Sequence, residues 1–463
     1  MNELLFLLIS LVPYKMALVL GLILPILCVL AYSRFGVGLA VIVGTFALDA
    51  ITQGAPILRL GLTVFLPDVP MVLIALVAGS RWALRPDVPW RHWGWMLYAL
   101  LVLVGLGLGL ALHGTAAGVQ ARGDFYSLAA ASYVMSFPVA RAQLRQVMTA
   151  LAWLAATLLL LCAYRWTVYY GGIRELLPAS GSYNVDGAIR VVGANAAVIL
   201  AQALVIGLYF WHLGRAAGAM RWMALPLLSA VLVLQHRSVW LASLVGVALG
   251  LVLARTRDTT RLQQLSMIGL LAACAALALA FGGEVAGDIQ SSAARAVKGQ
   301  DTVRARFENW RATLEDWRDA GPRAIIMGRE SGSDARHLVT TEEGERRQIS
   351  FGAHNNYVTA LTTTGVLGFT GLLWAYGSTL ARLYALYRRG GDRAPDAAAL
   401  LTLLAMQLAY FVAYSTDFLQ VMLLGLGLAY SATRPRLAAA AERDGSVATT
   451  STTLRSGLAT SPR

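Results

Sequence analysis

The sequence predicts an all-α fold: a polytopic integral membrane protein with about 12 transmembrane helices and one large, mostly helical loop on the side away from the cytoplasm. Of the 463 residues, 57% are hydrophobic and 14% charged, an apolar excess and a charge deficit relative to soluble domains. Apolar runs near the length of a bilayer crossing recur along most of the chain, which excludes a soluble domain on a single anchor. Arginines collect in alternate connections, as they do when those connections stay in the cytoplasm.

In order, the runs fall at 16–32, 35–51, 62–79, 93–112, 125–138, 147–168, 193–212, 222–234, 239–254, 265–281, 356–387, 397–414 and 418–430. Each is read as a helix because a chain in hydrocarbon must satisfy its own backbone groups. The basic connections carry Arg81, Arg85 and Arg91, then Arg141 and Arg145, then Arg215 and Arg221, then Arg255, Arg257 and Arg261, and finally Arg388, Arg389 and Arg393. Parity constrains the start: thirteen crossings with a cytoplasmic C-terminus put the N-terminus outside. Either residues 3–13 belong to an extra or broken first helix, or a short run such as 125–138 does not cross fully. The start has no basic n-region and no small-residue cleavage site, so it is read as retained.

Four regions result. Residues 1–281 are transmembrane helices with short loops, and 282–353 form a large outer loop with acids and bases in near balance, capping the candidate site. Residues 354–431 are the C-terminal transmembrane helices, and 432–463 form a disordered cytoplasmic tail rich in Ala, Ser, Thr and Arg.

Several function classes are excluded at this level. Net charge is +13, but its placement in alternate loops speaks for topology rather than nucleic acid. Cys28, Cys162 and Cys274 all sit inside apolar runs, which argues against disulfides or a thiolate metal site. No GxxxxGK[ST], HExxH or CxxC occurs, so neither direct use of ATP nor metal catalysis is expected, and no cofactor is required. Glu342, Glu343 and Glu345 are flanked by Arg346 and Arg347 and read as solvated loop.

A charge at the outer end of a span is costly and therefore a functional candidate. Three places qualify: Arg190 to Asn195 ahead of an outward-facing helix, Gln235-His236-Arg237-Ser238 between two short apolar runs, and His354-Asn355-Asn356 where the outer loop meets the next span. Arginine stays charged and its planar fork grips phosphate oxygens in pairs. Histidine takes a proton near neutrality. Asn355 and Asn356 can hold sugar hydroxyls or orient the imidazole, and Asn195 is a further candidate for binding substrate. The bland alternatives are interfacial snorkelling for Arg190 and Arg237 and helix capping for His354. His236 reads as structural, His337 as surface, and His92, His113 and His212 as interfacial. Gly365 and Gly368 read as helix-packing positions.

Taken together, Arg190-Val-Val-Gly193-Ala-Asn195, Arg237-Ser-Val-Trp240, Arg306-Phe-Glu-Asn-Trp310, Gly328-Arg-Glu-Ser-Gly332 and His354-Asn355-Asn356 with Gly365-Val-Leu-Gly368 resemble the O-antigen ligase and polymerase superfamily of bacterial envelope glycosyltransferases. The ordered set spans nearly the whole chain; the glycine element is looser than the family's glycine-rich stretch. The resemblance implies a bacterial inner-membrane protein with a periplasmic site. There, glycan carried on undecaprenyl pyrophosphate is transferred, without metal and with inversion, to the lipid A core oligosaccharide. It implies His354 as general base and Arg190 and Arg237 as stabilisers of the leaving pyrophosphate, with Arg306 either adding to that clamp or simply fixing the loop.

Two relatives within the superfamily share fold and donor: a polymerase, whose acceptor is another lipid-linked glycan, and a protein O-oligosaccharyltransferase, whose acceptor is a serine or threonine. One dominant outer loop of modest size before His354 favours the ligase. A transporter of anionic lipid is the alternative from another class; it predicts charges near the bilayer midplane in broken helices, whereas the unusual charges here gather at one interface.

Overall fold

The computed structural model describes residues 23–53, 56–60, 62–85, 92–178, 184–185, 188–253, 302–333, 337–340, 346–349, 353–415 and 417–433. The expectations for 3–22, the run at 265–281, residues 282–301 of the outer loop and the tail from 434 lie outside them.

The described chain is almost entirely helical. Helices are α1 (Ile23–Ser33), α2 (Phe35–Thr52), α3 (Asp68–Leu84), α4 (Trp93–His113), α5 (Thr115–Met135), α6 (Arg141–Tyr170), α7 (Ala194–Tyr209), α8 (Arg215–Trp222), α9 (Ala224–Val233), α10 (Arg237–Leu253), α11 (Thr302–Asp319), α12 (Pro322–Met327), α13 (Asn356–Arg389), α14 (Ala394–Tyr410) and α15 (Phe418–Ala432). Three small antiparallel hairpins interrupt them: β1 (Pro56–Leu60) with β2 (Leu62–Phe65), β3 (Asn184–Val185) with β4 (Ala188–Ile189), and β5 (His337–Thr340) with β6 (Arg346–Ile349).

Among the described residues, α2, α4, α6 and α13 are able by length and composition to cross a membrane, and the pair α8–α9, bent by 61°, makes a fifth only if it is counted as one broken span rather than a re-entrant loop. Large apolar side chains such as Leu76, Trp153, Leu160, Leu244 and Trp374 point outward, as a lipid-facing surface requires.

Two expected boundaries are corrected. The run at 62–79 is not one helix: residues 62–65 are strand β2, and α3 starts at Asp68, whose Oδ2 accepts from the Phe65 N–H at 2.6 Å and whose charge suits a helix N-terminus. The run at 125–138 begins ten residues earlier, at Thr115, because the charges that hide this start from a hydropathy reading are carried inside α5. Arg122 Nε meets Asp68 Oδ1 at 2.9 Å.

Partner contacts sort the helix ends into two sets. At one end Arg81 Nε donates to Ser136 Oγ at 3.0 Å and its guanidinium lies 3.5 Å over the Phe137 ring. There too Arg141 Nε lies 3.6 Å from the buried carboxylate of Asp396, and Arg393 Nη1 donates to the Thr433 carbonyl at 3.2 Å. The opposite end carries the C-terminus of α2, the N-termini of α7, α10, α13 and α15, and the candidate residues.

Glycines let backbones touch where α4, α12 and α13 meet. Gly365 has φ +64 inside α13, and a Cβ there would strike the Ile326 carbonyl; a Cβ on Gly328, φ +91, would strike that of Thr363. The chain after α12 is then laid along both helices: the Arg329 N–H donates to the Thr362 carbonyl at 3.0 Å and that of Ser331 to the Gly105 carbonyl at 3.1 Å. The packing role read for Gly365 thus extends to Gly328 in the loose glycine element.

Candidate active site

A cleft of about 660 Å³ opens at the end opposite the arginine-rich connections, within the size range of ligand-binding cavities. Two of the sequence-predicted residues, Arg190 and Asn195, line it, and so does His236.

This basic side is built around a break between helices. Gln235, with φ +51, turns the chain between α9 and α10, so that His236 projects inward instead of extending either helix. The His236 ring, 4% exposed, has its Nε2 3.1 Å from the Val192 carbonyl. Because a carbonyl can only accept, Nε2 carries the proton and Nδ1 is the lone-pair nitrogen. Burial pushes the imidazole down to about 4, and the Arg190 guanidinium adds to that shift. His236, read from the sequence as structural, therefore joins Arg190's loop to the first residue of α10, the half-buried Arg237.

Asn195 sits in the first turn of α7 and accepts from the Tyr410 hydroxyl at 2.6 Å. Tyr410 stacks on Tyr414 with ring centroids 5.2 Å apart, and the Tyr414 ring meets His236 edge-on at 6.4 Å. Arg306 also lies by Tyr414, 5.3 Å from the ring centroid, donating from Nη1 to the Ala413 carbonyl at 3.3 Å. One turn along the same helix, Trp310 donates to the Ala353 carbonyl at 2.6 Å. Arg306 and His354 are in this way brought to the same corner, beside the cleft rather than among the residues that line it.

His354 is exposed, has φ +45, and its imidazole is held below the usual range by partial burial and by the Arg306 charge. Asn355 is the N-cap of α13: its Oδ1 accepts from the N–H groups of Tyr357 and Val358 at 2.9 and 3.1 Å. That oxygen is committed to the helix, and such a cap contributes about 1 kcal/mol. Asn356 is buried, its backbone N–H donating to the carbonyls of Phe411 and Tyr414 at 3.0 and 3.1 Å, which docks α13 on the turn before α15. No carboxylate adjoins His354 in sequence; of the loop acids that folding could bring there, Glu330 lies 3.9 Å from His113, and Asp334 falls outside the described residues.

The opposite side of the cleft escaped the sequence reading. It carries Asp49 and Gln53 from the end of α2, Phe65, Arg122 and Tyr126, and Asp417 at the start of α15. Asp417 caps that helix through Oδ1, and burial pushes its carboxyl up to about 7, with Asp49 adding to the rise. The two sides are stapled by Arg165, 1% exposed, which donates from Nη1 to the Val191 carbonyl at 2.8 Å and from Nη2 to the carbonyls of Ala50 and Ile51 at 3.0 and 2.8 Å. An arginine inside the apolar run 147–168 was the available signal for it. Asp49 and Asp417, charges at the outer ends of spans, met the same criterion as the arginines. Compared with protein-family models and with curated proteins, the chain matches none of them.

Proposed function

We propose that this protein is a metal-independent, inverting glycosyltransferase of the O-antigen ligase type. It would move glycan from undecaprenyl pyrophosphate to the lipid A core oligosaccharide at the periplasmic face of the bacterial inner membrane, completing lipopolysaccharide. About 12 helices cross the membrane, with the arginine-rich connections in the cytoplasm and the segment 282–353 capping the site from outside.

The observation that carries this reading is the convergence of Arg190, Asn195 and His236 on one cleft at the end away from the arginine-rich connections, with Arg237 adjoining His236 and with Arg306 and His354 at its edge. Fixed cations at a membrane boundary suit a diphosphate headgroup whose lipid tail stays in the bilayer. In the reaction the acceptor hydroxyl oxygen bonds to the anomeric carbon as the bond from that carbon to the phosphate oxygen breaks. His354 takes the hydroxyl proton, and Arg190 and Arg237 balance the charge on the departing diphosphate. The depressed basicity of His354 keeps it neutral and able to accept at neutral pH.

The test is transfer by purified protein, in the presence of chelator, from undecaprenyl-pyrophosphate glycan to lipid A core. We expect transfer by the wild type and its loss in folded His354→Ala and Arg237→Ala. Chain growth on lipid-linked glycan without transfer to lipid A core would reassign the protein as a polymerase. Full activity in both variants would refute the assignment of these residues.

A further inference from the structure

The cleft is lined by charges of both signs. Arg190 lies beside the neutral His236. Asp49 and Asp417 lie near one another, with Tyr126 and Phe65 also on the lining and Arg122 already engaged by Asp68 at 2.9 Å. Among the described residues the half-buried Asp49 carboxylate, on the cleft lining, meets no cation within ion-pair distance. Buried or half-buried acceptors left in this state are costly unless a ligand supplies donors.

A diphosphate supplies no donors at neutral pH and is repelled by carboxylates, so the acidic side is the wrong surface for it. A sugar ring supplies several hydroxyl donors and an apolar face that aromatic rings cover. We propose that the Asp49 and Asp417 side of the cleft is a glycosyl subsite, in which the carboxyl groups accept hydrogen bonds from the hydroxyls of the sugar attached to the diphosphate held by Arg190. This rests on the glycosyltransferase reading and names which side takes which half of the donor. It also gives the two kinds of charge a purpose: the anomeric carbon lies between them, with its leaving group by the cation and its ring by the carboxyl groups. Arg165 fixes the spacing of the two sides by holding Val191 on one and Ala50 and Ile51 on the other.

The probes are geranyl diphosphate and the same compound carrying one hexose, titrated against full-length protein in detergent with chelator present. Wild type is expected to bind the glycosylated probe more tightly than the bare one. Asp49→Asn is expected to weaken the glycosylated probe by about tenfold and to leave the bare one unchanged. Asp417→Asn keeps the helix cap and is expected to behave alike, while Arg190→Gln weakens both probes. Equal affinity of the wild type for both probes, or equal loss of both in Asp49→Asn, overturns the subsite while leaving the diphosphate reading standing. Failure of the wild type to bind either probe overturns both. An Asp49→Asn effect seen only with added Mg²⁺ makes the pair a cation site and overturns the sugar assignment.

Discussion

The Tyr410 hydroxyl donates to the side-chain oxygen of Asn195 at 2.6 Å, tying the end of α14 to the first turn of α7. Asn195 borders the cleft and Tyr410 does not, so the bond fixes a lining residue from behind. Tyr410→Phe keeps the stack on Tyr414 and removes only this hydrogen bond. We expect about 1 kcal/mol lower stability and severalfold weaker donor binding in equilibrium titration; unchanged affinity would show that Asn195 needs no anchor.

Arg165 serves three carbonyls from a fully buried position. Arg165→Met keeps the apolar stem and abandons all three acceptors. A loss of about 3 kcal/mol is expected, read as a lower midpoint of thermal unfolding in detergent, together with loss of binding on both sides of the cleft. A stable, binding-competent Arg165→Met would remove the staple from the account.

His236 makes stability depend on pH. The folded protein keeps it neutral down to about pH 4, whereas in the unfolded chain it protonates near pH 6.5. Between those values the unfolded state binds the extra proton, so stability is complete above pH 6.5 and declines as pH falls toward 4, by about 3 kcal/mol in total. His236→Gln flattens that slope in unfolding measured from pH 7 to 4. An unaltered slope would assign the acid sensitivity to other groups.

Gly365 holds φ +64 against the Ile326 carbonyl. Gly365→Ala adds a backbone cost of about 1 kcal/mol and a clash that pushes α12 away from α13. Faster proteolysis between Gly321 and Ser333 is the expected readout; unchanged cleavage would mean that the contact yields easily.

How much of this was legible in the sequence follows from which signals are local. Apolar runs and arginine placement foretold a helical membrane protein because both act over a single span. The start of α5 was missed because Arg122 finds its counter-charge in Asp68, far away in sequence. Arg190, Asn195 and Arg237 stood out as polar residues at span ends. His236 did not, since helical periodicity turns it away from Arg237, and only the reversed φ at Gln235 brings it inward. The acidic side required the end of α2 and the start of α15 to meet, and no pattern along the chain encodes that meeting.

The length of the Arg165 side chain acts as a gauge block. Because one guanidinium spans the gap between the Val191 carbonyl and those of Ala50 and Ile51, the mouth has its width before any guest arrives. In the proposed donor site a guest too thick for that gap is excluded however well its headgroup suits Arg190, so that a buried residue touching no substrate helps decide which substrates enter.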